Sequence, residues 1–179
     1  MKKGRRILSL LCGVLLVGAS VLGTAAYLTD RTEKVTNTFT VGTIDISLDE
    51  TTCAYKMIPG NDIDKDPIIT VESGSEASYL FVKVEESDNF DDFMTWQIAA
   101  GWTELTGQPG VYYRLTDAAD QDLTFHVLAN DSVHVLESVT KGELDALTSE
   151  TLPKLSFTAY AVQLDNIETP EEAWAIANS

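Results

Sequence analysis

Two histidines, three alternating aspartates and a run of further carboxylates are the residues of this chain whose types and spacing suit chemistry. A zinc hydrolase wants two His one helical turn apart with a Glu between them, so that both imidazoles meet the ion from one helix face. This chain has only His126 and His134, both in segments where apolar residues alternate. With Phe125, Val127, Val133 and Val135 turned inward, both imidazoles point outward, and an odd-length loop around Asn130 would set them across from each other on adjacent strands. Such a pair supplies two ligands and lacks the third that a catalytic centre needs, so both are expected to be ordinary surface histidines. Asp62, Asp64 and Asp66 have the spacing that opens a calcium loop. The helix-loop-helix calcium pattern then wants Gly in sixth place and Glu in twelfth, where this chain has Pro67 and Ser73. That motif is therefore excluded, and a looser structural calcium site in the turn stays open. Glu85, Glu86, Asp88, Asp91 and Asp92 read as a solvated acidic face. Neither a phosphate loop nor a dinucleotide fingerprint is present. The residues thus predict no catalytic group and no cofactor.

The elements that would hold these residues begin with a leader. Lys2, Lys3, Arg5 and Arg6 form a basic start, and residues 7–26 carry no charge. That length could span a bilayer. Gly13, Gly18, Ala19, Ser20, Gly23 and Thr24 dilute its apolar character toward the end, however, and small residues sit where a signal peptidase reads. A signal peptide over 1–26 is expected, cut after Ala25 or Ala26, with retention as a membrane anchor the alternative. Cys12 follows a large Leu11 within a continuing apolar run, which does not fit a lipoprotein cysteine, and it leaves with the leader. Cys53 is then the only cysteine of the exported chain, so no internal disulfide can form and the fold must rest on core packing. A half-buried apolar role for Cys53 is expected, with a free thiol for intermolecular pairing as the alternative.

Of the 179 residues about 150 remain, enough for one domain that buries roughly two-thirds of its unfolded surface. The four leader bases leave eight Lys and Arg against twenty-eight Asp and Glu. So acidic a chain is poorly suited to nucleic acid, whose phosphates are held by clustered Lys and Arg. It predicts a self-repelling surface that needs cations or salt before copies associate.

Residues 27–42 read as one extended N-terminal arm. Val35, Phe39 and Val41 alternate with Thr36, Thr38 and Thr40, which is period two. After Gly42 the parity flips, and Ile44, Ile46 and Leu48 become the apolar set, so Gly42 reads as a bulge or a break between strands. Residues 43–179 follow as the domain. Strands are expected at 67–73, 78–86, 111–116, 123–128, 133–137 and 155–164. The segment 78–86 has Leu80, Val82 and Val84 inward, and 155–164 is placed in mid-sheet. Residues 62–66 fall in a turn. Two short helices start at Thr140-Lys141-Gly142-Glu143 and Thr169-Pro170-Glu171-Glu172, each with a Thr cap and a Glu three places on, Pro170 sitting at the favoured first position. Many short strands spaced by turn signals and two small helices predict an all-β fold, a jelly-roll-like antiparallel β-sandwich.

Several stretches together, GTAAYLTD at the leader end, NTFTVGTIDISL after it, KDPIITV with YLFVKVEE in the middle, FTAYAVQ late and EEAWA at the close, resemble the TasA and camelysin family of secreted biofilm-matrix proteins. The resemblance spans the whole exported chain. It implies a Gram-positive cell surface or extracellular matrix, a leader removed by a SipW-type signal peptidase, a jelly roll, and fibres in which one subunit's N-terminal strand completes the sheet of the next. Donor residues would be Tyr27, Leu28, Val35, Phe39 and Val41, and the partners this subunit itself or paralogous matrix subunits. The membrane is a partner only before cleavage. The physical argument beside it is that an extended peptide pairing with an exposed sheet edge gains backbone hydrogen bonds, and head-to-tail pairing that does not close makes filaments. Camelysin relatives have been labelled metallopeptidases, so a secreted metal-dependent peptidase is one alternative, and a membrane-tethered adhesin is another.

Overall fold

The alternating segments become strands, and among the described residues every strand pair is antiparallel. The computed structural model describes residues 29–32, 35–38, 44–50 and 56–179. The strands are β1 (Thr29–Thr32), β2 (Val35–Thr38), β3 (Ile46–Asp49), β4 (Asp62–Asp64), β5 (Ile68–Val71), β6 (Ser78–Glu86), β7 (Met94–Thr95), β8 (Thr103–Glu104), β9 (Val111–Thr116), β10 (Leu123–His126), β11 (Ser132–Val135) and β12 (Leu155–Gln163). Three short helices join them: α1 (Phe90–Phe93), α2 (Lys141–Asp145) and α3 (Pro170–Ala177). The fold is all-β.

Two of the sheets face each other across the main core. One is ordered β10-β5-β3 and the other β12-β6-β9-β8. Ile46, Ile69 and Val71 of the first meet Leu80, Val82, Ala159 and Ala161 of the second, and all seven are buried. β6 lies between β12 and β9 and is covered on both faces, so Tyr79 and Phe81 are as buried as Leu80 and Val82. The outer cover is α3, whose Ala173, Trp174 and Ala177 pack with Tyr79, Phe81 and Val162. The Trp174 ring lies 5.3 Å from Phe81 and edge-on at 5.1 Å from Tyr160. Each large side chain fully buried in this way contributes about 1.5–3 kcal/mol. A third sheet, β4-β11-β7, closes a smaller core of Phe90, Met94, Leu128, Val133 and Val135.

The helix starts follow the expected chemistry. Thr140 accepts from the Glu143 N–H while the Glu143 carboxylate accepts from the Thr140 N–H, a reciprocal cap on α2. Thr169 caps α3 with Pro170 in first place. α1 carries only four residues and lies within 88–95, where the break in alternation leaves a helical turn or a surface loop.

Three expectations are corrected, and the N-terminal segment takes a local pairing. The segment 155–163 is the outermost strand of its sheet, and the central place belongs to β6. Residues 62–64 are a strand, β4, because Ile63 packs on the Phe90 core while the two carboxylates flanking it point to water. In the described part of 27–42, β1 pairs antiparallel with β2, Thr32 opposite Val35. Finally, His126 and His134 do not face each other. β10 pairs with β5 and β11 with β4 and β7, so the two imidazoles lie in different sheets. The cause is the turn Ala129–Asp131, where Asn130 and Asp131 both take left-handed backbone (φ 57° and 50°) and carry the chain from one sheet to the next.

Candidate strand-accepting edge

β12 sits at the rim of the larger sheet, and its sequence makes it an unusual rim. It runs for nine residues, LSFTAYAVQ, with no charge and no proline. Edge strands in soluble proteins are normally kept short or guarded by Lys, Pro or bulges, because their backbone otherwise templates another strand. β12 pairs along its length with β6, Leu155 opposite Glu86 through Gln163 opposite Ser78. The far rim of the same sheet is β8, two residues long.

Three features surround β12 on its outer side. β3, the rim strand of the facing sheet, comes close to it. β2 also runs alongside β12, while its ladder is with β1. At the N-terminal end of β12 a groove of about 380 Å³ opens between Met57, Ile63, Met94, Val133, Leu152 and Leu155. Leu152 at its mouth is 44% exposed. Lys65 bridges this region: its Nζ lies 2.5 Å from Glu50 Oε1 and 5.3 Å from the Phe157 ring, tying the end of β3 to β12. Both faces of β12 are firmly seated, one on the main core and one under α3. Ala159, Ala161 and Val162 are buried, and burial raises the Tyr160 phenol above its ordinary value.

The structure places the sequence-derived candidates as follows. His134 Nδ1 lies 2.7 Å from Asp62 Oδ1 across the β11–β4 pair, and His126 Nδ1 lies 2.7 Å from Asp131 Oδ1 beyond its own turn. One aspartate and one histidine singled out separately therefore meet as a cross-strand pair. Asp64 stands opposite Ser132 in the same pair of strands, and Asp66 follows in the connection to β5. Among the described residues no group of three or more His, Cys, Asp or Glu is placed to hold a metal ion. Val35 lies in β2, opposite Thr32. Ala25, Ala26, Tyr27, Leu28, Phe39, Val41, Gly42 and Cys53 lie outside the described residues.

One residue that the sequence reading passed over is Arg114. Alternation in VYYRLT sets Val111, Tyr113 and Leu115 against Tyr112, Arg114 and Thr116, and hydropathy favours turning Leu115 inward. The pairing of β9 with β6 does the reverse, placing Arg114 opposite Leu80 of the main core and leaving Leu115 57% exposed. The register with β6 is the signal that finds it. Compared with known protein families, with curated proteins and with solved structures, the chain has no match.

Proposed function

We propose that this chain is a secreted structural subunit of an extracellular matrix, in which the N-terminal segment of one copy adds as a strand to the β12 rim of the next. The observation that carries the reading is a nine-residue, uncharged rim strand with β2 of the N-terminal segment running beside it. Backbone pairing along such a rim supplies the affinity, and the neighbouring groove accepts apolar side chains. The head-to-tail operation does not close on itself, so it builds fibres.

The resemblance of GTAAYLTD, NTFTVGTIDISL, YLFVKVEE and FTAYAVQ to the TasA and camelysin family supports the same reading, as does the expectation of a leader that ends in small residues just before the segment to be donated. Until the leader is removed the membrane holds that segment's start, so assembly waits for export. The finer description of the sheets as a jelly roll belongs with this proposal. The role needs no reacting group and no metal.

Electron microscopy of residues 27–179 beside residues 42–179 tests it. Filaments are expected from the longer form and none from the shorter. Equal assembly by both rejects the donated segment. Casein hydrolysis that requires metal and is lost in the His126→Ala, His134→Ala double variant would replace the structural role with a peptidase.

A further inference from the structure

The two long sides of the sandwich differ in how they treat an incoming strand. On the first side lie β12, β3 and β2. On the second, β8 covers β9 only at Tyr112 and Tyr113, so Arg114, Leu115 and Thr116 have β6 as their sole ladder partner among the described residues. Among the described residues β10 on the facing sheet has β5 as its ladder partner, and just beyond it residues 97–99 bond to 127–129, which leaves Leu123–His126 as the open stretch. Judged by backbone alone, this second side also offers a place to add a strand, and the exposed Leu115 would favour it.

Arg114 is what sets it apart. Its guanidinium points between the sheets, 4.0 Å from the centre of the Phe125 ring on β10 and 5.4 Å from that of Trp102. Trp102 is itself fixed by donating its indole N–H to the His126 carbonyl oxygen at 2.9 Å. Gly101 leaves the space the guanidinium fills, since a Cβ there would lie 3.3 Å from Nη2. Arg114 Nε is buried without a hydrogen-bond partner, and among the described residues no carboxylate lies within ion-pair distance of this side chain. By contrast Lys65, Lys83 and Lys141 each have an acidic partner. Burial pulls the guanidinium below its ordinary value, yet an arginine stays charged.

We propose that Arg114 is a specificity residue for assembly: an inward-facing charge that closes the β9 and β10 side to strand addition, so that a second copy's N-terminal segment is accepted only at β12. The inference rests on the reading of β12 as the accepting rim. A strand laid along Arg114–Leu115–Thr116 would strip the remaining water from a cation that, among the described residues, has rings and no carboxylate at ion-pair distance, and such a charge resists full desolvation. β12 has no charge to desolvate. One-sided acceptance keeps growth linear where two accepting sides would branch it.

Disulfide capture between copies of the secreted protein carrying Cys53→Ser tests this. Donor copies carry Thr36→Cys, and acceptor copies carry either Thr158→Cys on β12 or Leu115→Cys on β9. With Arg114 intact, cross-links are expected to the Thr158→Cys acceptor and not to the Leu115→Cys acceptor. Adding Arg114→Met should open the second site, with the Tm unchanged or higher, while Arg114→Lys should keep it closed. Arg114→Gln serves in place of Met should the latter misfold. A folded Met or Gln variant that still gives no cross-link at Leu115→Cys overturns the proposal, as does equal cross-linking at both sites with Arg114 intact. Absence of any cross-link at Thr158→Cys sinks the donated-strand reading itself and shows before Arg114 is changed.

Discussion

Gly110 stands where two backbones touch, and the contact depends on a missing side chain. Its φ is +77°, and a Cβ there would fall 2.8 Å from the Val84 carbonyl oxygen. The Val84 N–H donates to the Gly110 carbonyl oxygen at 2.8 Å, so this approach aligns β9 with β6. Gly110→Ala should cost about 2–4 kcal/mol, from the left-handed backbone and the clash together. Urea unfolding checks it, and a loss under about 1 kcal/mol would show that the two strands are not so close. Glu143 makes a second residue-scale case. The Thr140 N–H, and after it the Thr140 hydroxyl, hydrogen-bond its carboxylate and hold its pKa below the usual 4.5. A carboxylate depressed in the folded state contributes stability that is present above its unfolded value and is lost as pH falls through the folded one. NMR titration should therefore find Glu143 with a midpoint below 4.5, rising toward it in Thr140→Ala. A midpoint at or above the ordinary value would mean that the reciprocal cap is absent in solution.

The element that decides how well the larger sheet is protected is α3. Without it Tyr79, Phe81 and Val162 would present an apolar face to water, and Trp174 is the side chain that covers them. Trp174→Ala should cost about 3–5 kcal/mol, read as a lower urea midpoint with little change in strand signal. A cost near zero would place α3 elsewhere than on this sheet. Elements were also where the sequence spoke unevenly. β6 was legible because Leu80, Val82 and Val84 alternate with Lys83 and Glu85, and a long apolar run suits a strand covered on both faces. The caps of α2 and α3 were legible from Thr and Glu spacing alone, since both partners lie within one turn. The rim position of β12 was not, because its composition is that of a central strand and its place at the end of the order β12-β6-β9-β8 is set by long-range pairing. β4 was hidden because Asp62 and Asp64 read as turn and ligand residues, whereas their strand is fixed by pairing with β11, far away in sequence. For the same reason the Asp62–His134 contact and the inward aim of Arg114 depend on registers that no local pattern carries.

At the scale of the whole molecule, charge governs when two copies can meet. Beyond residue 26 the chain carries eight basic and twenty-eight acidic residues, so copies repel one another at every approach. Strand addition acts at contact range, and the repulsion acts from farther out. Salt shortens that reach, from roughly 30 Å at 0.01 M to about 3 Å at 1 M, while leaving backbone hydrogen bonding and apolar burial largely in place. Self-association of residues 27–179 should therefore rise with sodium chloride, seen by sedimentation velocity as a growing population of heavy species. Residues 42–179 have much the same charge and lack the donated segment, so they should stay monomeric across the series. The two forms together separate two causes of association. If both forms grow heavier with salt, screening alone drives contact and the N-terminal segment is not its agent. If the longer form stays monomeric even when its charges are screened, β12 does not receive a neighbour's strand, and its long uncharged rim must be covered by the chain's own N-terminal segment instead.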